Sequence, residues 1–238
     1  FWVGTIYEPR DAAKATLHCW VGGKLVKRAD NATVGNGLAW SPNGRTLYWS
    51  DTKAHTIYAF DFEPASGELS GRRVFARFPV KQDGQSLDSY GGRPDGAAVD
   101  AEGCYWVAMF EGQRLLRLSP AGELLREVRL PVRCATMPCF GGADLKTIYI
   151  TTSREKRPAA ELMAQPMAGC VLALDVDVPG LPEPAGGSQR VTQERHVNVG
   201  GRRGRLRATA RSCRTVPRSD RYFSVRQQSV ASCGVVTR

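Results

Sequence analysis

No apolar run in this 238-residue chain approaches the roughly 18–20 residues of a membrane-spanning helix, so no helical span is expected. Histidine is scarce. His18 and His55 stand alone and read as ordinary surface or core residues, which leaves no His cluster for a zinc centre. None of the seven cysteines forms a C-x-x-C pair, which removes the thiol-redox and zinc-ribbon motifs. They are also too scattered for a disulfide framework, and buried free thiols in a reducing, cytoplasmic compartment are expected. A Gly-x-Ser-x-Gly nucleophile elbow is missing too. No signal peptide is visible, and because Phe1 opens in mid-strand character, a true N-terminus upstream of it is expected.

Lysine and tryptophan are absent from residues 187–238, where 12 Arg face only Glu194 and Asp220. That segment therefore holds the whole net charge of +10, and residues 1–186 balance 21 basic against 21 acidic side chains. The body has no electrostatic case for nucleic acid or membrane, despite the basic tail. The sequence divides accordingly into a β-rich body, 1–185, and an Arg-rich tail, 186–238. The tail lacks the apolar periodicity of a packed element and is expected to be disordered or an out-of-frame translation. A nucleic-acid-binding tail is the alternative.

The body reads as strands throughout. Phe1–Thr5, Leu17–Val21, Leu47–Ser50, Ile57–Asp61, Cys104–Met109, Leu115–Leu118, Thr147–Thr151 and Cys170–Asp175 are aromatic, β-branched or alternating runs. Turn signals such as Ser41-Pro42-Asn43-Gly44 and Pro64-Ala65-Ser66-Gly67 separate them. Anchors at Trp2, Trp49, Trp106 and Ile150 recur at spacings of 47, 57 and 44 residues. About four short strands per repeat of this length is the pattern of a β-propeller blade rather than a sandwich. One helix is expected, over Pro158–Met167, which is rich in Ala, Glu, Leu and Met.

Two polar segments precede equivalent strands: Gly35-Asn36-Gly37-Leu38 and Arg93-Pro94-Asp95-Gly96. Read as loops, they place Asn36 and Asp95 at matching positions of two blades, where side chains converge on a propeller axis. An amide oxygen and a carboxylate are hard donors suited to Ca²⁺, Mg²⁺ or Mn²⁺, with Zn²⁺ also open. Singly, each is an ordinary turn residue; their matched placement favours a site. Asp51 and Asp100 read instead as hydrogen-bonding residues of blade turns.

The ordered series Phe-Trp-Val-Gly-Thr, Asn-Gly-Leu-Ala-Trp-Ser, Leu-Tyr-Trp-Ser-Asp-Thr, Pro-Asp-Gly, Asp-Ala-Glu-Gly-Cys-Tyr-Trp-Val-Ala and Phe-Gly-Gly resembles the gluconolactonase/regucalcin (senescence marker protein) family over residues 1 to about 185. The resemblance implies an all-β fold, a six-bladed β-propeller with a divalent metal on its axis, and hydrolysis of sugar lactones. It implies that Asn36 is a metal ligand and that Asp95 is both metal ligand and proton-transfer residue. Glu8 lies near a substrate-contacting acidic position of the family. The family's third metal ligand, a glutamate, and its substrate-contacting Arg and Asn have no counterpart here. The chain therefore looks like the C-terminal part of the family domain, an incomplete propeller of about four blades, and weak metal binding and little activity are expected. A non-enzymatic Ca²⁺-binding or interaction propeller is the alternative function. The sequence leaves the oligomeric state open.

Overall fold

The computed structural model describes residues 1–182. The Arg-rich tail, and with it the nucleic-acid alternative, lies outside the described residues. Fourteen strands and one short helix make up the described chain. The first sheet holds β1 (Trp2–Gly4), β2 (Ala15–Val21) and β3 (Lys24–Ala32). The second holds β4 (Gly35–Trp40), β5 (Thr46–Asp51), β6 (Thr56–Glu63) and β7 (Glu68–Arg77). In the third are β8 (Arg93–Val99), β9 (Tyr105–Phe110), β10 (Arg114–Leu118) and β11 (Leu124–Arg129). The fourth has β12 (Ala135–Gly141), β13 (Thr147–Thr152) and β14 (Leu172–Asp175). Each sheet is an antiparallel meander of consecutive strands. The helix α1 (Ala159–Ala164) sits between β13 and β14, inside the segment expected to be helical.

Apolar residues let the two middle sheets bury both faces and the two outer sheets one, so the core forms in three layers. Leu17, Leu47, Trp49 and Phe60 fill the space between the first and second sheets. Tyr48, Ile57, Tyr105, Val107 and Met109 lie between the second and third, and Trp106, Leu115, Ile148 and Ile150 between the third and fourth. The first strands of the last three sheets, β4, β8 and β12, run side by side. The four sheets do not close into a ring among the described residues.

The aspartates expected at turns are there. Asp51 accepts the Thr33, Val34 and Lys53 amides at 2.8, 3.0 and 3.1 Å. Asp100 accepts the Cys104 amide, the Trp106 indole N–H and the Arg117 guanidinium at 2.9, 2.9 and 2.8 Å. Cys19, Cys104 and Cys134 are buried thiols.

Three details differ from the sequence reading. Gly35–Leu38 and Arg93–Gly96 are strand residues, not loops, because their backbones pair with β5 and β9. Ala135–Cys139 was not expected to be a strand. Pro138 interrupts its pattern, yet it is tolerated because β12 lies at a sheet edge, where its missing N–H leaves no ladder bond broken. Thirdly, the anchors do not share a face: Trp49 and Ile150 each pack toward the preceding sheet, whereas Trp106 packs toward the following one.

Candidate metal and catalytic site

The side-by-side strands β4, β8 and β12 each carry an extra residue near their N-terminal end. In β4, Asn36 pairs with Ser50 and Ala39 with Tyr48, so Gly37 and Leu38 stand opposite Trp49 alone. In β8, Pro94 pairs with Met109 and Ala97 with Val107, so Asp95 and Gly96 stand opposite Ala108. In β12 the extra residue is Thr136. Bulges of this kind re-aim side chains at strand ends. Here they gather at one end of the sheets, and Asn36 and Asp95 are there. Each is followed by a glycine, Gly37 and Gly96, that approaches the bulge of the next strand.

Two glycines bring the bulges together. Gly37 has φ +54°, and a Cβ there would stand 2.9 Å from the Asp95 carbonyl oxygen. A Cβ on Gly96 would stand 2.6 Å from the Thr136 carbonyl oxygen. Any larger residue would push β4 from β8, or β8 from β12. Tyr105 of β9 fastens the first of these contacts, donating its hydroxyl to the Gly37 carbonyl beside Ser50 Oγ.

Asn36 donates its Nδ2 to Thr52 Oγ1 at 3.2 Å, which turns Oδ1 away from Thr52 and leaves it as the free donor atom. Thr52 is itself held by its amide to the Val34 carbonyl at 3.0 Å, in the turn that Asp51 organises. Burial pushes the Asp95 carboxyl up to about 7, against the opposing pull of the Arg93 charge and the Gly96 N–H. No Lys or Arg nitrogen among the described residues forms an ion pair with it. A buried carboxylate without a counter-ion is costly, and a bound cation would remove that cost. The hard-oxygen set therefore fits a divalent metal. Among the described residues no group of three or more His, Cys, Asp or Glu side chains could hold one. Ca²⁺ takes six to eight oxygens, more than these two side chains could supply.

Glu8 occupies an exposed turn after β1, where it meets Arg10 at 3.8 Å. The segment before it runs along the entry to β4, with the Tyr7 amide on the Thr33 carbonyl at 3.0 Å and the Gly35 amide on the Thr5 carbonyl at 3.3 Å. Glu8 is therefore at the same end as Asn36, but no described contact joins it to Asn36 or Asp95.

Sequence reasoning missed the ionic rim of this end. Arg93 reaches Glu111 at 3.0 Å, and Arg157 reaches Glu111 at 2.9 Å and Glu161 at 2.8 Å. Arg133 pairs with Glu161 at 3.3 Å and with Asp88 at 2.7 Å. The partners come from four separate segments, and apart from the i,i+4 pair Arg157–Glu161 no spacing rule relates them. His55, expected to be isolated, is buried. Its Nδ1 faces the Lys53 carbonyl at 3.1 Å, and its Nε2 faces the Tyr90 hydroxyl. With Nδ1–H donating to Lys53, Nε2 accepts from Tyr90. Burial holds the imidazole pKa down. Both ring nitrogens are occupied, so His55 is not a metal ligand.

The family described as SMP-30/Gluconolactonase/LRE-like region matches residues 1–154. The chain belongs to that family. The matched span ends short of residue 185, the boundary expected from the sequence, although relatives align further. The chain is 45% identical over 197 residues to 6-deoxy-6-sulfogluconolactonase of Pseudomonas putida, covering 77% of this chain and 60% of that protein. It is 32% identical over 181 residues to a putative sugar lactone lactonase of Bacillus subtilis, covering 75% and 59%. Among solved structures, a calcium-binding protein, regucalcin, from Agrobacterium tumefaciens superposes with a TM-score of 0.67 at 27% identity, over 77% of this chain and 59% of that one. The chain thus spans about 60% of the length of these family members. Among the described residues no helix is long and apolar enough to cross a membrane.

Proposed function

We propose that this chain carries part of the active site of a metal-dependent sugar-lactone hydrolase, built on a six-bladed β-propeller to which the described residues contribute about four blades. The reading is supported by the placement of Asn36 and of the buried Asp95 carboxyl on adjacent bulged strands. The relatives' names support the substrate class, and one of them names a lactone that bears a sulfonate.

Asn36 and Asp95 would hold Ca²⁺, Mg²⁺, Mn²⁺ or Zn²⁺. Such a cation supplies positive charge opposite the oxygen that becomes anionic when a lactone carbonyl is attacked. Asp95 takes a proton from the attacking water, and the cation it helps to hold would keep its carboxyl ionised for that role. Water oxygen bonds to the carbonyl carbon, the ring C–O bond breaks, and the proton passes to the leaving alkoxide. Glu8, exposed at the same end, is placed to meet a sugar hydroxyl. With two protein donors, the site binds a cation weakly and turnover by this chain is low.

The test is hydrolysis of gluconolactone, with and without EDTA, by the chain and by its Asp95→Ala variant. Turnover that EDTA or Asp95→Ala abolishes supports the reading; turnover unaffected by both sinks it. The calcium-binding description of the Agrobacterium protein favours a second reading, a non-enzymatic Ca²⁺-binding or interaction propeller. Calcium binding without any turnover would select it.

A further inference from the structure

The three arginines of the rim are not alike. Arg157 is bonded by two carboxylates, those of Glu111 and Glu161. Arg133 is bonded by Asp88, by Glu161 and by the Leu87 carbonyl. The Arg93–Glu111 ion pair uses a single nitrogen, Nη1, Glu111 is shared with Arg157, and the other partner of the Arg93 side chain is the neutral Tyr90 hydroxyl. The Arg93 side chain is 32% exposed, against 10% for each of the other two. Its guanidinium carbon lies 5.0 Å from the centre of the Phe110 ring, which gives the fork a flat surface to rest on. Arg93 also stands two residues before Asp95, and it is the charged side chain that acts on that carboxyl.

A neutral lactone has no use for this arrangement, because hydroxyls are met adequately by neutral donors and carboxylates. A sulfonate or phosphate has, because its oxygens match the guanidinium fork. Glu111, divided between two arginines, leaves Arg93 incompletely neutralised, and a cation at Asp95 would add positive charge nearby.

We propose that Arg93 is a specificity-determining residue that binds an anionic substituent, a sulfonate or phosphate, carried by the lactone away from its reacting carbonyl. The assignment rests on the lactone-hydrolase reading of the same site. Arg157 and Arg133 act as positioning residues that hold Glu111 and Glu161.

The experiment is calorimetric titration of the full chain, with a divalent cation present, by gluconate, 6-deoxy-6-sulfogluconate and 6-phosphogluconate. All three are stable acids and share one carboxylate, so they differ only in the distal group. Charge-assisted hydrogen bonds predict that at least one anionic acid binds about tenfold or more tightly than gluconate; whichever binds more tightly identifies the anion. Arg93→Met brings the ratio to about one, and Arg93→Lys, which keeps the charge but not the fork, retains part of it. A ratio near one in the unaltered chain overturns the assignment. So does an unchanged ratio in Arg93→Met whose circular dichroism matches the parent, or no binding of any acid. Gluconolactone hydrolysis is measured in parallel. A ratio that collapses in Arg93→Met without any hydrolysis overturns the lactonase reading and leaves the anion assignment in place.

Discussion

Asp95 shows how one buried group can couple stability to function. Its folded pKa of about 7 is above the ordinary carboxyl value of 3.8, so the fold favours the neutral acid. Stability from that preference is fully present below about pH 4 and is lost as pH rises through about 7. The metal-free protein should therefore lose stability between pH 5 and pH 8, by about 2–4 kcal/mol at the limit of roughly 1.4 kcal/mol per pH unit. Asp95→Asn removes this slope and abolishes metal binding. Denaturant unfolding in EDTA at both pH values checks it, and parallel pH dependence in parent and variant would refute it. Because proton and cation compete for the same oxygens, metal affinity should also weaken as pH drops below about 7. Asn36 depends on a neighbour in a different way. Thr52→Val deletes the acceptor that fixes its amide, and several-fold weaker metal binding by calorimetry, with little change in unfolding midpoint, is the expected outcome.

At the level of the strands, the site depends on three bulges, and Tyr105 holds two of those strands together. Tyr105→Phe leaves the buried Gly37 carbonyl without its hydroxyl donor, which should cost about 1–3 kcal/mol in denaturant unfolding. A loss close to zero would mean that the contact does not hold β4 to β8. Most of the strands were legible in the sequence, because they are short aromatic, β-branched or alternating apolar runs bounded by turn chemistry. Asn36 and Asp95 were legible because short motifs surround them. Their bulges were not: Gly37 and Gly96 read as loop glycines, whereas their role is close backbone approach between sheets. The strand β12 was hidden by Pro138. The rim from Arg93 to Asp88 was hidden because its ion pairs join residues up to 46 positions apart, as Arg157 and Glu111 show.

Across the whole described molecule, stability comes from three interfaces in series rather than from one core. Sheets contact their neighbours in sequence order, as in a repeat array, where local opening can stay local. The first interface buries Leu17 completely, between the first and second sheets. The middle one buries Met109 completely, between the second and third. Either residue truncated to Ala should cost about 2–5 kcal/mol at its own interface. The consequences differ with position. Leu17→Ala should speed amide exchange in β1–β3 while β8–β10 keep their protection. Met109→Ala lies between the two four-stranded sheets and beside the strand that carries Asp95, so exchange should quicken in both sheets and metal affinity should fall with it. Hydrogen exchange read strand by strand, with calcium titrated in parallel, separates the two variants. If Leu17→Ala exposed β8–β10 as readily as β1–β3, the sheets would be one cooperative unit. The site at the bulges would then depend on every layer equally, and not chiefly on the interface beneath it.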